Sequence, residues 1–109
     1  MLMGDARALI QPTRFHEPFG GNVVEAQRCG TPVITTNFGA FPELVQNGVN
    51  GFRCNLLGEF AEATDRCLGL DRQAIRARAL ATYSLDVIAP QYDAYFRRVL
   101  TLFDKGWYT

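Results

Sequence analysis

Residues 17–36 read EPFGGNVVEAQRCGTPVITT, and this stretch decides the fold. After a loop rich in glycine and proline, Val23, Val24, Ala26 and Cys29 carry the apolar spacing of a short helix, with Gly30 at its C-terminal cap position. Thr31 and Pro32 break that pattern. Residues Pro32–Thr36 are β-branched and uncharged, the composition of a strand buried on both faces. Upstream, ARALIQP (Ala6–Pro12) is short, largely apolar and closed by a proline, and it predicts a buried strand that delivers the chain into the loop. Downstream, NFGAFP is turn material, and Pro42 opens a short helix through Gln46 because a proline at the first helical position gives up only an unpaired N–H. Asn47-Gly48 ends that helix, Gly51–Cys54 predicts a third strand, and Glu59–Leu68 and Asp71–Ala81 carry helical spacing. The order β-α-β-α-β-α predicts an α/β domain with a parallel sheet and helices packed on it.

The C-terminal segment has the clearest periodicity. Leu85, Ile88, Tyr92, Tyr95, Phe96, Val99, Leu102 and Phe103 recur at steps of three and four, which makes one face of a long helix strongly apolar. Ser84 suits the N-cap, and Pro90 inside the pattern predicts a kink or a delayed start. The stripe is expected to cover the sheet. Its aromatic residues exceed what three strands readily cover, so docking of part of it on a partner domain or subunit is the sharper alternative. No internal repeat, low-complexity tract or linker interrupts the chain.

A length of 109 residues supports one hydrophobic core and excludes several domains within this chain. Eleven Lys+Arg balance eleven Asp+Glu, and the basic residues are scattered, which argues against nucleic acid as a partner. No apolar run reaches the about 20 residues of a transmembrane span, and the opening MLMGDARALI has neither the basic start nor the long apolar stretch of a leader. Cys29, Cys54 and Cys67 form an odd set without Cys-x-x-Cys spacing, which points to free thiols in a reducing, cytoplasmic setting. The single histidine, His16, has no second histidine with which to share a metal, so no metal and no cofactor are expected.

The chemistry concentrates in EPFGGNVVE. Glu17 stands in a loop beside a helix start and Glu25 about a turn into that helix, with Gly20 and Gly21 between them. A helix N-terminus presents unpaired N–H groups and the positive end of a dipole, and glycines let an anion approach the backbone. Helical side chains lean toward the N-terminus, so Glu25 is expected to point toward the mouth that Glu17 lines. Backbone amides for phosphate together with carboxylates for hydroxyl groups describe a sugar nucleotide. The bland alternative makes Glu17 an electrostatic cap and Glu25 an exposed helix residue, and spacing by itself leaves both readings open.

The run GDARALIQPTRFHEPFGGNVVEAQRCGTPVITTNFGAFPELVQNGVNGF (residues 4–52) resembles the C-terminal donor-binding domain of the retaining, nucleotide-sugar-dependent glycosyltransferases of GT-B fold. The resemblance rests on the Glu-seven residues-Glu element, on EPFGG and EAQRCGTPVI around it, and on the later pattern of Gly39, Glu43, Val45, Gly48 and Gly51. The later SLDVIAPQYDAYFRRVL is similar to the family's closing helix. The resemblance implies a partial Rossmann-like, three-layer domain with a short parallel sheet and a long C-terminal helix. It implies that Glu17 is the catalytic glutamate against the donor sugar's hydroxyls and that Glu25 binds the ribose hydroxyls. Phe19, Gly20, Gly21 and Asn22 would line the sugar and diphosphate through backbone amides, and no metal would be required.

The family's diphosphate-binding Arg and Lys, and its N-terminal acceptor domain, fall outside the matching residues. The chain is therefore expected to be inactive alone unless an acceptor domain is supplied in trans. The open edge of the Ala6–Pro12 strand leads to the expectation of a homo-oligomer. A non-catalytic α/β interaction module, self-associating through that edge or through the aromatic helix, is the alternative. Among neighbouring residues, Glu43 is read as biasing a helix start, His16 as packing in its loop, and Arg14 as a solvated surface charge.

Overall fold

A computed structural model of the chain describes residues 2–106. The element order is α1 (Leu2–Asp5), β1 (Leu9–Gln11), α2 (Gly21–Arg28), β2 (Val33–Thr35), α3 (Phe41–Leu44), β3 (Gly51–Arg53), α4 (Leu57–Arg66), a 3-10 turn (Cys67–Gly69), α5 (Arg72–Tyr83) and α6 (Leu85–Lys105). The three strands form one parallel sheet in the order β1-β2-β3, with Ile10 opposite Ile34 and Ile34 opposite Phe52.

The central strand fixes the layers. Val33, Ile34 and Thr35 are all fully buried, as their β-branched, uncharged composition requires. Successive side chains of a strand point to opposite faces, and the two apolar ones belong to two different clusters. Val33 packs with Val23, Val24 and Ala26 of α2 and with Phe41 and Leu44 of α3. Ile34 packs with Phe52, Cys54, Ala63 of α4 and Cys67. Helices therefore lie on both faces, and the α/β, three-layer, partly Rossmann-like architecture is the one the sequence implies.

Helix ends follow local chemistry. At the end of α2, Gly30 N–H donates to the Gln27 carbonyl at 2.9 Å and Thr31 N–H to the Ala26 carbonyl at 2.9 Å, the paired closure of a glycine-terminated helix. Asp71 caps α5 by accepting from the N–H groups of Gln73 at 3.0 Å and Ala74 at 3.1 Å. Before α4, a Glu59 carboxylate oxygen accepts from the N–H groups of Asn55 at 2.5 Å and Leu56 at 3.1 Å, which holds its carboxyl below the usual range.

Three expectations are corrected. The first strand is shorter than Ala6–Pro12, residues Leu2–Asp5 before it are helical, and Ile10 is 49% exposed rather than buried because β1 is a sheet edge. The N-terminal turn is tied down from afar: the Arg72 guanidinium donates to the carbonyls of Ala6 and Gly4, both at 2.8 Å, and to Thr31 Oγ1 at 3.0 Å. Second, α6 starts at Leu85 without delay, with Ser84 at the N-cap position but no capping bond from its side chain. Pro90 removes one backbone bond from a helix of 21 residues, and the helix runs on through it.

Third, the apolar stripe of α6 does not cover the sheet. None of its residues is buried, and Leu85, Tyr92, Tyr95, Phe96 and Phe103 stand exposed. The physical reason is occupancy: α2 and α3 fill one face of the sheet, α4 the other, and α5 packs on α2. α6 packs on α5 instead and projects from it, so that the molecule extends to 54 Å. Among the described residues no helix is long and apolar enough to cross a membrane.

Candidate functional site

The loop from β1 to α2 leaves the carboxyl ends of the strands, where open α/β sheets bind ligands. It is held by the neighbouring loop that follows β2. Thr36 Oγ1 donates to the Thr13 carbonyl, and Ala40 N–H donates to the Glu17 carbonyl at 2.7 Å. Gly39, at φ +62°, lies against the Glu17 backbone so tightly that a Cβ there would stand 2.2 Å from the Glu17 nitrogen. The two loops thus register on one another through main chain, and Glu17 is the residue they fix.

Gly20 forms the N-cap of α2 at φ 85°, with no side chain capping it, and its carbonyl accepts from the N–H groups of Val23 and Val24. A Cβ at Gly20 would meet Leu44 Cδ1 at 3.0 Å and Phe41 Cε1 at 3.4 Å, so the glycine lets the helix start pack closely on α3. Gly21 and Asn22 follow as exposed first residues of the helix. This is a helix start with no side-chain cap and with Gly21 and Asn22 open to solvent, in the position where an anionic group is stabilised.

Glu17 opens onto a cavity of about 430 Å³ that it shares with Phe19, Ala40, Glu43, Leu44 and Tyr83. Glu25 lines a different hollow, of about 470 Å³, with Met3, Arg28 and Arg76. The structure therefore brings Glu17 and Phe19 together and leaves the two glutamates of the Glu-seven residues-Glu element on separate hollows. Its second carboxylate in the Glu17 cavity is Glu43, in the first turn of α3, which the sequence reading had treated as structural.

Tyr83 is a functional candidate that the sequence reading missed. It ends α5, on the line of Ile75 and Ala79 eight and four residues earlier, so its helical face was legible, but nothing local announces that Glu17 is its neighbour. Burial pushes the Tyr83 phenol up, with the Arg78 guanidinium opposing and the Glu43 carboxylate adding to the shift. His16 presents its ring edge-on to Phe38 at 5.9 Å, the loop-packing role expected of it, and Arg14 is exposed. Among the described residues no three His, Cys, Asp or Glu side chains gather as a metal site would need.

Residues 1–69 match the family model described as Glycosyl transferases group 1. The chain belongs to that family. It is 34% identical over 84 residues, 72% of its own length, to D-inositol 3-phosphate glycosyltransferase of Mycobacterium tuberculosis, and those residues are 18% of that protein. It is 49% identical over 45 residues, 41% of its length, to sucrose synthase 2 of Pisum sativum, of which they are 5%. The chain thus spans a small part of these relatives. In this member of the family the matched residues carry the whole Glu17 loop, α2 and the Gly39–Glu43 segment, whereas Tyr83 comes from α5 beyond them.

Proposed function

We propose that this chain is the donor-binding part of a glycosyltransferase that moves a sugar from a nucleoside diphosphate sugar to an acceptor with retention of anomeric configuration. The observation that carries the reading is the fixing of Glu17 by the Gly39–Ala40 backbone at the mouth of a glycine-built helix start. An ionised carboxylate offers several acceptor positions, which suits the hydroxyls of a sugar, and the helix start at Gly21 and Asn22, both exposed and following the buried Gly20 turn, suits its diphosphate. Phe19 flanks the same loop, and Glu25, one turn on, is assigned to the ribose hydroxyls.

In the reaction the bond from the anomeric carbon to the leaving phosphate oxygen breaks, and a bond from the acceptor oxygen forms on the same face. The acceptor's proton passes to the departing phosphate oxygen. Glu17 holds the sugar while positive charge develops on its ring, where a fixed carboxylate stabilises the transition state more than the ground state. The acceptor-binding half, and the upstream part of this donor-binding half that carries the cations facing the diphosphate, are supplied in the same or a separate polypeptide, and without them the chain transfers little or nothing. Three free cysteines favour a reducing, cytoplasmic setting for it.

Thermal unfolding with UDP, GDP, ADP and their sugar conjugates tests the reading. Ligand at about 100 times its Kd adds about 2.7 kcal/mol to the stability of the native state. One responding nucleotide, with the response lost in Glu17→Gln and Glu25→Ala, is the expected result. A flat panel removes donor binding from this chain on its own.

A second reading, a non-catalytic α/β module that self-associates, is favoured by the exposed apolar face of α6 and the free edge of β1. Light scattering across a concentration series separates the two: a mass that stays monomeric while a nucleotide binds overturns the second.

A further inference from the structure

The cavity beside Glu17 carries charge of one sign. Two carboxylates line it, Glu17 from the loop before α2 and Glu43 from the first turn of α3, and no lysine or arginine stands among its lining residues. The Arg78 guanidinium, whose charge is felt at Tyr83, is engaged outside the cavity, where it donates to Gln46 Oε1 at 2.5 Å. Tyr83 is the third polar side chain of the lining, half-buried like Glu17, while Glu43 is exposed. Burial and the Glu43 carboxylate both keep the Tyr83 phenol protonated, so at neutral pH it is a hydroxyl that donates as well as accepts. The cavity thus offers hydrogen-bond acceptors from two carboxylates, one donor from the phenol, and no positive charge.

That charge selects among sugars. The hydroxyls of an uncharged hexose donate to carboxylates and accept from a phenol. A carboxylate carried by the sugar itself has no proton to give either glutamate and is repelled by both. Like charges about 4 Å apart weaken binding about fivefold even in bulk water, so two of them together disfavour an acidic sugar by more than about tenfold. We propose that Glu43 and Tyr83 are specificity-determining residues of the donor site, and that this cavity admits uncharged hexoses and turns away hexuronates. Glu43 repels the acidic sugar, and Tyr83 bonds to a hydroxyl of the neutral one opposite Glu17. The inference rests on the donor-binding reading above and names the class of sugar that reading leaves open.

Amide NMR titrations of the full chain with UDP, with GDP and with two matched pairs of conjugates test the proposal. The pairs are UDP-glucose against UDP-glucuronate and GDP-mannose against GDP-mannuronate, whose members differ only in a hydroxymethyl or a carboxylate at the sugar's last carbon. For the pair whose nucleotide binds, the neutral conjugate is expected to bind at least about tenfold more tightly than the uronate. It is also expected to shift Ala40, Glu43 and Tyr83 beyond what the bare nucleotide does. Glu43→Gln keeps the side chain's size and removes its charge, and is expected to cut that preference by about fivefold. Tyr83→Phe removes only the hydroxyl, and is expected to weaken the neutral conjugate by about fivefold relative to the bare nucleotide. Each readout is a ratio of two ligands on one protein, so a general loss of stability in a variant, followed by its unfolding midpoint, leaves the ratio where it was. Equal affinities within a pair overturn the proposal, as does a preference that Glu43→Gln leaves intact, a Tyr83→Phe variant that keeps the parent's ratio, or a neutral sugar that leaves Ala40, Glu43 and Tyr83 unshifted. In all of these the bare nucleotide still binds, and donor binding stands. Silence toward both nucleotides and every conjugate overturns donor binding by this chain and the sugar preference with it.

Discussion

Gly39 and Glu17 meet backbone to backbone, with a hypothetical Cβ on Gly39 lying 2.2 Å from the Glu17 nitrogen and 2.3 Å from its carbonyl oxygen. No side chain fits there, and the left-handed backbone at Gly39 adds its own cost to any substitution. Gly39→Ala is therefore expected to destabilise the chain by more than about 2 kcal/mol and to weaken nucleotide-sugar binding together with it. Gly48→Ala is the control, since Gly48 has φ +79° but open space around it, and it costs only about 1–2 kcal/mol with binding unchanged. Denaturant melts of both variants, each with and without ligand, check the comparison. Equal losses in the two would remove the contact with Glu17 from the explanation.

Asp71 and Ser84 both precede helices, yet only the Asp71 side chain makes capping bonds. Asp71→Ala is expected to cost about 1 kcal/mol, and Ser84→Ala to fall within about 0.5 kcal/mol of the parent. Urea midpoints at unchanged slope measure both. A Ser84 variant as damaging as the Asp71 variant would mean that the serine hydroxyl caps α6 in solution.

Much of the fold was legible because local chemistry and tertiary role agree. The uncharged β-branched run Val33–Thr35 became the central strand, and Gly30 closed α2 where its spacing placed it. The Glu17 loop was legible for the same reason, since a glycine pair before an apolar helix announces an open helix start. What escaped depends on residues far apart in sequence. Arg72 holds the N-terminal turn through Ala6 and Gly4, and Tyr83 walls the Glu17 cavity from the far end of α5. Neither residue carries a local sign of its partner. The destination of α6 was misread because periodicity shows that a helix has an apolar face but not what covers it.

Cys67 gives the chain an alkaline limit. Burial, and then the neighbouring Cys54 thiol, push the Cys67 thiol up to about 11, while an unfolded cysteine ionises near 8.5. The folded state holds the proton more tightly, so this contribution is complete below the unfolded value and is lost as pH rises through the folded one. Unfolding midpoints are expected to fall between about pH 9 and about pH 11, and Cys67→Ala to reduce that slope while lowering the midpoint at neutral pH. A parent and variant with the same alkaline slope would clear Cys67 of the effect.

Among the described residues Phe41 and Phe103 stand at opposite extremes of apolar exposure, one on α3 fully buried against α2 and β2, the other 92% exposed on α6. Phe41→Ala removes a ring from a closed core and is expected to cost about 3–5 kcal/mol, enough to leave so small a domain marginal. Phe103→Ser removes a ring from solvent and is expected to change stability by less than about 0.5 kcal/mol. Melts made at several chain concentrations carry the second half of the argument. If α6 is solvated in the isolated chain, Phe103→Ser leaves the midpoint unchanged at every concentration. A parent midpoint that climbs with concentration, and a Phe103→Ser midpoint that does not, would show that α6 stabilises the chain by pairing with another copy.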